Sequence, residues 1–396
     1  MAVKIIIHRG THQIGGIATE IKTDSTRIII DMGDELSLDP DFVSEELNIP
    51  GVTDANGNCD AVLFTHYHGD HTGQMTRIRK EIPLFVGALA KDIMLLSAER
   101  SYHKNQALCD RIKTMQTFTG GEAVTIGDIR ITPWSIDHSA CDSYLFLIEA
   151  EGKRILYTGD FRMHGFRGHA IPKIMRKIGK VDVLITEGTT LSRPDTKPMT
   201  EHELQQKVEE YVWQYKYVYV LCASTNLERI CAFSKATPRG KYFLCDKHQY
   251  DLLELVEQRW GEIASLYRNI KKTKYRDDLL EKIKRLGFVM MVRDNYQFRQ
   301  IIKNFDNEQS IMLYSMWDGY RTKPGSTIPD FLNLAGRWET LHTSGHASHE
   351  DIKTVVEIAD PQTVIPMHTD SPNALQTLCQ NRNVRLLNDG EEFQVD

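Results

Sequence analysis

Hydrophobic residues in the first half of the chain come in short runs bounded by turn residues. VKIIIH, GIATEIKT and TRIIIDMG are followed by CDAVLFTH, and further on by DIRITPW, SYLFLIEA, KRILYTGD and VDVLITEG. β-Branched and aromatic residues crowd these runs, so each predicts a strand. Most end in a polar residue at the carboxyl end. Between them, Ala88 to Arg100 carries apolar residues at the i, i+3, i+4 spacing of a helix.

Near Pro194 the pattern changes. TEHELQQKVEEYVWQY opens with Thr200 and Glu203 in the register of a capping box, which predicts a helix start. YVYVLCAS, a helix from about Asn226 and a strand KYFLCD follow, and the alternation continues to about Gly325. That is the pattern of a small parallel sheet with helices on its faces. After Arg337 strand and loop signals return: WETLHTSGHAS, a helix from Ser348, TVIPMHTD, a helix from about Asn373, then VRLLND. The middle segment reads as an insertion into a domain completed by the C-terminal part. The expected division is 1–195, 196–335 and 336–396, without internal repeats or low-complexity tracts.

Composition narrows the class only a little. A chain of 396 residues, 41% hydrophobic, can bury a large core split between two compact units. No run reaches the roughly eighteen apolar residues that span a bilayer, and MAVKIIIHRG fits a first strand better than a secretory signal, so the expected location is the cytoplasm. Seven scattered cysteines without a C-x-x-C pair indicate neither a disulfide framework nor a thiolate metal site. A net charge of −6 argues against a protein that coats nucleic acid by bulk electrostatics, though an enzyme can keep a basic groove on an acidic body. One basic run, Tyr267 to Arg276, carries five cations and reads as a solvated surface stretch.

Candidate chemistry is concentrated in LFTHYHGDHTGQ. His66 and His68 lie two apart after the apolar run AVLF, so extended backbone points both imidazoles to one side. Asp70 and His71 follow Gly69, a residue that lets the chain turn and bring a second pair of ligands onto a neighbouring ion. Imidazole with carboxylate is a ligand set for zinc, manganese or iron rather than calcium. Other predicted strand ends offer partners: His138, Asp160 and His368, with Asp160 placed to bridge two ions about 3.5–4 Å apart. Singly each is an ordinary loop residue; together they favour a metal pair.

His66-x-His68-x-Asp70-His71, with His138, Asp160 and His368, resembles the metallo-β-lactamase fold, a four-layer αββα sandwich of α/β class with a dinuclear site along one edge. The resemblance implies that one ion takes His66, His68 and His138, that the other takes Asp70, His71 and His368, and that Asp160 bridges. It implies a supporting role for Asp31, which orients the ligand loop. Glu187, His346 and His368 resemble the three further motifs of the β-CASP nucleases, which carry a smaller α/β domain inserted where this chain has its middle segment. HTSGHA is similar to the ribonuclease J pattern, although the sequence ends soon after the nuclease core, without the C-terminal domain such enzymes often carry. ASTNLER resembles the stretch that opens the inserted domain, making Ser224, Asn226 and Arg229 candidates for phosphate contact. Histidine at the last motif is typical of RNA-acting members, whereas DNA-repair members carry valine.

The resemblance therefore implies a metal-dependent ribonuclease, exonuclease or endonuclease, using a hydroxide on two divalent ions, zinc or else manganese. Asp70 belongs to its catalytic set, and His346, tuned by Glu187, is the candidate acid for the leaving oxygen. Ser344, Gly345 and Ala347 would let backbone N–H groups approach a phosphate. His164 and His169 have no family role and are read as loop residues near the substrate entrance. Alternatives are a thioester or lactone hydrolase of the same fold, a DNA nuclease of the same branch and an inactive scaffold. The expected partner is RNA, with no membrane; a homo-oligomer of unstated order stays open.

Overall fold

The computed structural model describes residues 2–39, 41–100 and 102–395. The chain forms two compact units: Met1–Leu36, Val43–Lys197 and Gly345–Asp396 make the first, Ser37–Phe42 and Pro198–Ser344 the second.

The first unit contains two sheets. One runs in the order Glu392–Val395, Val3–Arg9, Ala18–Lys22, Arg27–Ile30, Ala61–Leu63, Leu84–Gly87, Gln116–Phe118. The other runs Thr363–Met367, Val183–Glu187, Lys153–Tyr157, Ser143–Ala150, Ile129–Ile136, Val124–Ile126. Val3–Arg9 alternates buried and half-buried positions, the mark of a strand with one apolar face. That face, with Ile21, Ile28 and Leu63, packs on Ile131, Phe146, Ile155 and Ile185 of the other sheet in a single cluster. Outside the second sheet, helices Ile171–Ile178, His349–Ala359 and Pro372–Leu378 bury Met175, Val355 and Leu375 against Leu147, Leu156 and Leu184. Ser143–Ala150 is consequently buried on both faces. Helix Ala88–Glu99 packs on Leu84–Gly87 of the first sheet, giving the αββα layering.

Several strands are absent from the sequence reading, among them Leu84–Gly87, Gln116–Phe118, Val124–Ile126 and Glu392–Val395. Glu392–Val395 pairs antiparallel with the first strand, Val3 opposite Val395, whereas VRLLND supplies only a bridge from Val384 to Val364. Polar EEFQV is a poor strand signal because its edge position leaves most of it half-wet.

The second unit is an all-parallel sheet in the order Thr273–Lys274, Tyr242–Cys245, Phe288–Val292, Tyr217–Leu221, Ser310–Tyr314, Trp338–Thr340. Its helices begin where the polar signals predict. The Thr200 side chain accepts from Glu203 N at 3.1 Å and the Glu203 carboxylate accepts from Thr200 N at 2.7 Å. The expected return at 336 is corrected to 345, because Trp338–Thr340 pairs with Ser310–Tyr314 and so belongs to this sheet. Three of the five cations in the basic run face carboxylates: Lys272 meets Glu257, Lys274 lies 4.0 Å from Asp251, and Arg276 lies 2.5 Å from Asp278. Among the described residues no helix is long and apolar enough to cross a membrane, and the cysteines form no disulfide.

Candidate metal centre

Strand ends build the site. Asp31 follows Arg27–Ile30, His66 to His71 follow Ala61–Leu63, His138 follows Ile129–Ile136, Asp160 follows Lys153–Tyr157, Glu187 ends Val183–Glu187, and His368 follows Thr363–Met367. Because Lys153–Tyr157, Val183–Glu187 and Thr363–Met367 are mutually parallel, their carboxyl ends share one edge. Ligand atoms of His66, His68 and His138 lie within 4.8 Å of one another, as do those of Asp70, His71, Asp160 and His368. A third group, sharing members with the second, is Asp160, Glu187, His346 and His368.

The local geometry differs from the expectation at Gly69. The separation of Asp70 from His68 comes from a short helix, Gly69–Thr72, with His68 at its N-cap, and involves no conformation peculiar to glycine. Unusual backbone occurs instead at Asp31 (φ 60°) and His368 (φ 52°), both in the left-handed region that costs a non-glycine residue about 1 kcal/mol or more. Each is held by its contacts. Asp31 Oδ1 accepts from Thr65 N at 2.8 Å, and His368 N donates to the Gly10 carbonyl at 2.8 Å.

Most of the imidazoles have one nitrogen engaged from behind. His71 Nδ1 lies 2.9 Å from Asp31 Oδ2, His138 Nδ1 donates to the Gly345 carbonyl at 2.6 Å, His368 Nδ1 meets Thr189 Oγ1 at 2.7 Å, and His66 Nδ1 meets Thr65 Oγ1 at 3.0 Å. These partners turn Nε2 of all four into the cluster. His71 Nε2 and His368 Nε2 lie 3.2 Å from Asp160 Oδ2 and Asp70 Oδ2 respectively. Replacing Asp31 by alanine frees both His71 and Thr65. Metal affinity is expected to fall about 10- to 100-fold, measured by chelator competition, while the fold is retained.

The electrostatics fit a cation. Burial, reinforced by neighbouring imidazoles, drives His66 and His138 well below the ordinary imidazole range, and burial lowers His68 to about 4. All three are therefore neutral, the form that ligates metal. Burial opposes a charge on His71 as well, but Asp160, Asp31 and Asp70 outweigh it and raise its pKa well above the usual value. Asp70 is held far below the carboxylate range because His71 and His368 overcome its burial. Three carboxylates converging on one imidazole make a pocket that attracts positive charge. Two buried atoms of the clustered residues, His66 Nε2 and Asp160 Oδ1, have no hydrogen-bond partner among the described residues, as donor atoms reserved for a metal would. The donor set and its burial thus fit divalent metal.

Glu187 and His346 stand beside these groups. His346 Nδ1 lies 3.1 Å from Glu187 Oε2 and 3.6 Å from Asp160 Oδ2. Burial disfavours the imidazolium, yet Glu187 and Asp160 prevail and the His346 pKa is raised. The small residues around it serve other contacts than those expected. Ala347 is buried and its N–H is directed at Glu187 Oε1 at 3.3 Å, so it does not face a phosphate. At Gly345 a Cβ would sit 2.4 Å from Ser139 Oγ; glycine there permits the close approach that lets its carbonyl grip His138. Ser344 is half-buried in the same loop.

Arg229 is a correction. It is 1% exposed, its Nη2 lies 2.5 Å from Glu201 Oε1 and donates to the Thr343 carbonyl at 2.8 Å, and its Nη1 meets His342 Nδ1 at 3.0 Å. The guanidinium is committed to the interior of the second unit, where neither phosphate nor solvent reaches it. Ser224 is half-buried and Asn226 buried at the carboxyl end of Tyr217–Leu221. His164 is buried with Nδ1 3.7 Å from Asp351, the carboxylate of the capping box that opens His349–Ala359. His169 is exposed.

Sequence reasoning missed Thr65, Thr189, Asp137 and Arg162. Asp137 Oδ1 accepts from Arg162 Nε at 2.7 Å with both side chains fully buried, and Arg162 N donates to the Asp137 carbonyl at 2.9 Å. This pair ties the loop of His138 to the loop of Asp160. Its only signal was adjacency to predicted ligands.

Residues 26–212 match the Beta-lactamase superfamily domain and residues 332–385 match the Zn-dependent metallo-hydrolase RNA specificity domain. A protein named Ribonuclease J from Pyrococcus abyssi is 21% identical over 416 residues, covering 92% of this chain and 89% of its own length. Another of that name from Helicobacter pylori strain B128 is 20% identical, covering 100% of this chain, which spans only 61% of that protein. An RNase J-like protein from Methanocaldococcus jannaschii is 28% identical over 216 residues, 52% of this chain and 48% of its own. A crystal structure of a protein of unknown function from Enterococcus faecalis V583 superposes with a TM-score of 0.80 at 19% identity, covering 100% of both chains, which shows a shared fold. With the two domain matches at either end and similarity to ribonucleases J along the whole chain, the protein carries a metallo-β-lactamase superfamily domain and is ribonuclease J-like.

Proposed function

We propose that the chain is a metal-dependent ribonuclease hydrolysing RNA phosphodiester bonds. The observation that carries this reading is the convergence of His66, His68, His138, Asp70, His71, Asp160 and His368 on one sheet edge beside the Glu187–His346 pair. The match of residues 332–385 to an RNA specificity domain and the names of the relatives supply the substrate. In this reading His66, His68 and His138 would hold one divalent ion, Asp70, His71 and His368 a second, and Asp160 both. Zinc is the proposed ion, manganese the other candidate. When bound, such ions offset phosphate charge and lower the pKa of water. The middle segment is proposed to be the β-CASP domain.

The chain's own groups supply orientation and a proton. Asp31, Thr65, Thr189 and the Gly345 carbonyl fix the imidazoles, so little reorganisation accompanies binding. Glu187 holds Nδ1 of His346 and favours its charged form, leaving Nε2 as the proton donor to the departing 3′ oxygen. Ser344 and Gly345 are proposed to lie near the phosphate through this loop, and Ser224 and Asn226 to meet the RNA in the second unit.

Incubation of the purified protein with RNA labelled at either end tests the reading. The RNA should carry 5′ triphosphate, monophosphate or hydroxyl, with zinc or manganese supplied in turn. Cleavage that stops on chelation is expected, and product lengths distinguish attack from an end from internal attack. RNA left intact beside rapid opening of a thioester or lactone would replace this function with a small-molecule hydrolase.

A further inference from the structure

Open parallel α/β sheets meet their ligands outside the carboxyl ends of the strands. In the second unit Tyr217–Leu221 and Ser310–Tyr314 are neighbours with Leu221 beside Tyr314, and Ser315 N donates to the Leu221 carbonyl at 2.9 Å. Their following loops therefore leave the sheet side by side. One carries Ser224 and Asn226; the other carries Trp317 and Tyr320. Trp317 is 41% exposed and Tyr320 44%, two adjoining aromatic rings left partly in solvent. Their rings meet edge to face, centroids 5.5 Å apart at 84°.

Trp317 is exposed but fixed. Its carbonyl accepts from Tyr314 Oη at 2.7 Å and from Tyr320 N at 3.2 Å. Its indole lies on Gly319 so closely that a Cβ there would sit 2.4 Å from ring atoms Cη2 and Cζ3. The backbone thus seats part of the ring and solvent meets the rest. A held ring loses little freedom when a planar group stacks on it. Polar groups on and around the neighbouring loop suit a nucleotide. Asn226 is 7% exposed and its Oδ1 has no hydrogen-bond partner among the described residues, while Arg293 donates to Ser224 Oγ at 3.0 Å. The Asp318 carboxylate, which would repel a phosphate, accepts from Arg321 Nε at 2.7 Å and is thereby neutralised.

We propose that Trp317, supported by Tyr320, is a stacking platform for an unpaired base of RNA, beside Ser224 and Asn226. This rests on the ribonuclease reading and adds to it a site that accepts any base, since stacking tolerates sequence. The test is anisotropy of a labelled, uncleavable single-stranded oligonucleotide with wild type, Trp317→Ala, Trp317→Phe and Gly319→Ala, each checked by circular dichroism. Trp317→Ala is expected to bind about tenfold more weakly. Trp317→Phe should keep most of the affinity, and Gly319→Ala should lose part of it although every ring remains. With a cleavable RNA, KM should rise more than kcat falls in Trp317→Ala. Equal affinity of wild type and folded Trp317→Ala overturns the platform while leaving the ribonuclease intact, and marks the aromatic pair as a surface for something other than RNA. A wild type that neither binds nor cuts RNA overturns both.

Discussion

Asp160→Asn should abolish RNA cleavage, lowering it by at least about 10³-fold, or roughly 4 kcal/mol of transition-state stabilisation. A single oxygen, Asp160 Oδ2, lies 3.9 Å from His66 Nε2, 3.8 Å from His138 Nε2, 3.2 Å from His71 Nε2, 3.9 Å from His368 Nε2 and 3.6 Å from His346 Nδ1. The carboxylate is 1% exposed, and the imidazoles around it hold its pKa well below the ordinary value despite its burial. Asparagine keeps the shape and removes the charge, so the ligand groups lose the anion they share. Elemental analysis should show the metal content falling to one ion or none, with the far-ultraviolet spectrum unchanged. A variant that keeps two ions and its rate would place the reaction elsewhere.

The clustering of these side chains is legible in the sequence for a physical reason. His66, His68, Asp70 and His71 stand next to each other in sequence, and His138, Asp160 and His368 each close an apolar run, where a strand must deliver a polar side chain to an edge. Such signals are local. What stayed hidden depends on distant pairings. Thr189 reaches His368 from 179 residues away, and the Gly345 carbonyl reaches His138 from 207 away. A backbone acceptor leaves no trace in residue identity. The positive φ at Asp31 and His368 is likewise invisible, since neither is glycine. Arg229 read as a phosphate contact because its motif placed it there; its burial follows from Glu201, 28 residues earlier, whose carboxylate captures the guanidinium. The return between units was misplaced for a related reason. Trp338–Thr340 carries a strand signal, but the sheet it joins is set by pairing with Ser310–Tyr314.

His346→Ala separates two roles that its position allows. Its Nδ1 is close enough to Asp160 and Glu187 for the four residues Asp160, Glu187, His346 and His368 to form a metal-binding group, yet the 3.1 Å contact with Glu187 engages that same nitrogen. A proton donor and a ligand make opposite demands: the donor must hold an extra proton, the ligand must be neutral. Glu187 and Asp160 raise the His346 pKa against its burial, which favours the donor. Loss of the imidazole should then slow cleavage about 10²- to 10⁴-fold while the metal content stays at the wild-type value. Glu187→Gln should have a smaller effect in the same direction, because it weakens the bias toward the charged form but leaves the imidazole in place. A substrate whose leaving group needs no proton, such as a nitrophenyl phosphodiester, should be cut by His346→Ala at close to the wild-type rate. If the variant loses an ion, or if the activated substrate is slowed as much as RNA, His346 is a ligand, and the proton must come from another group.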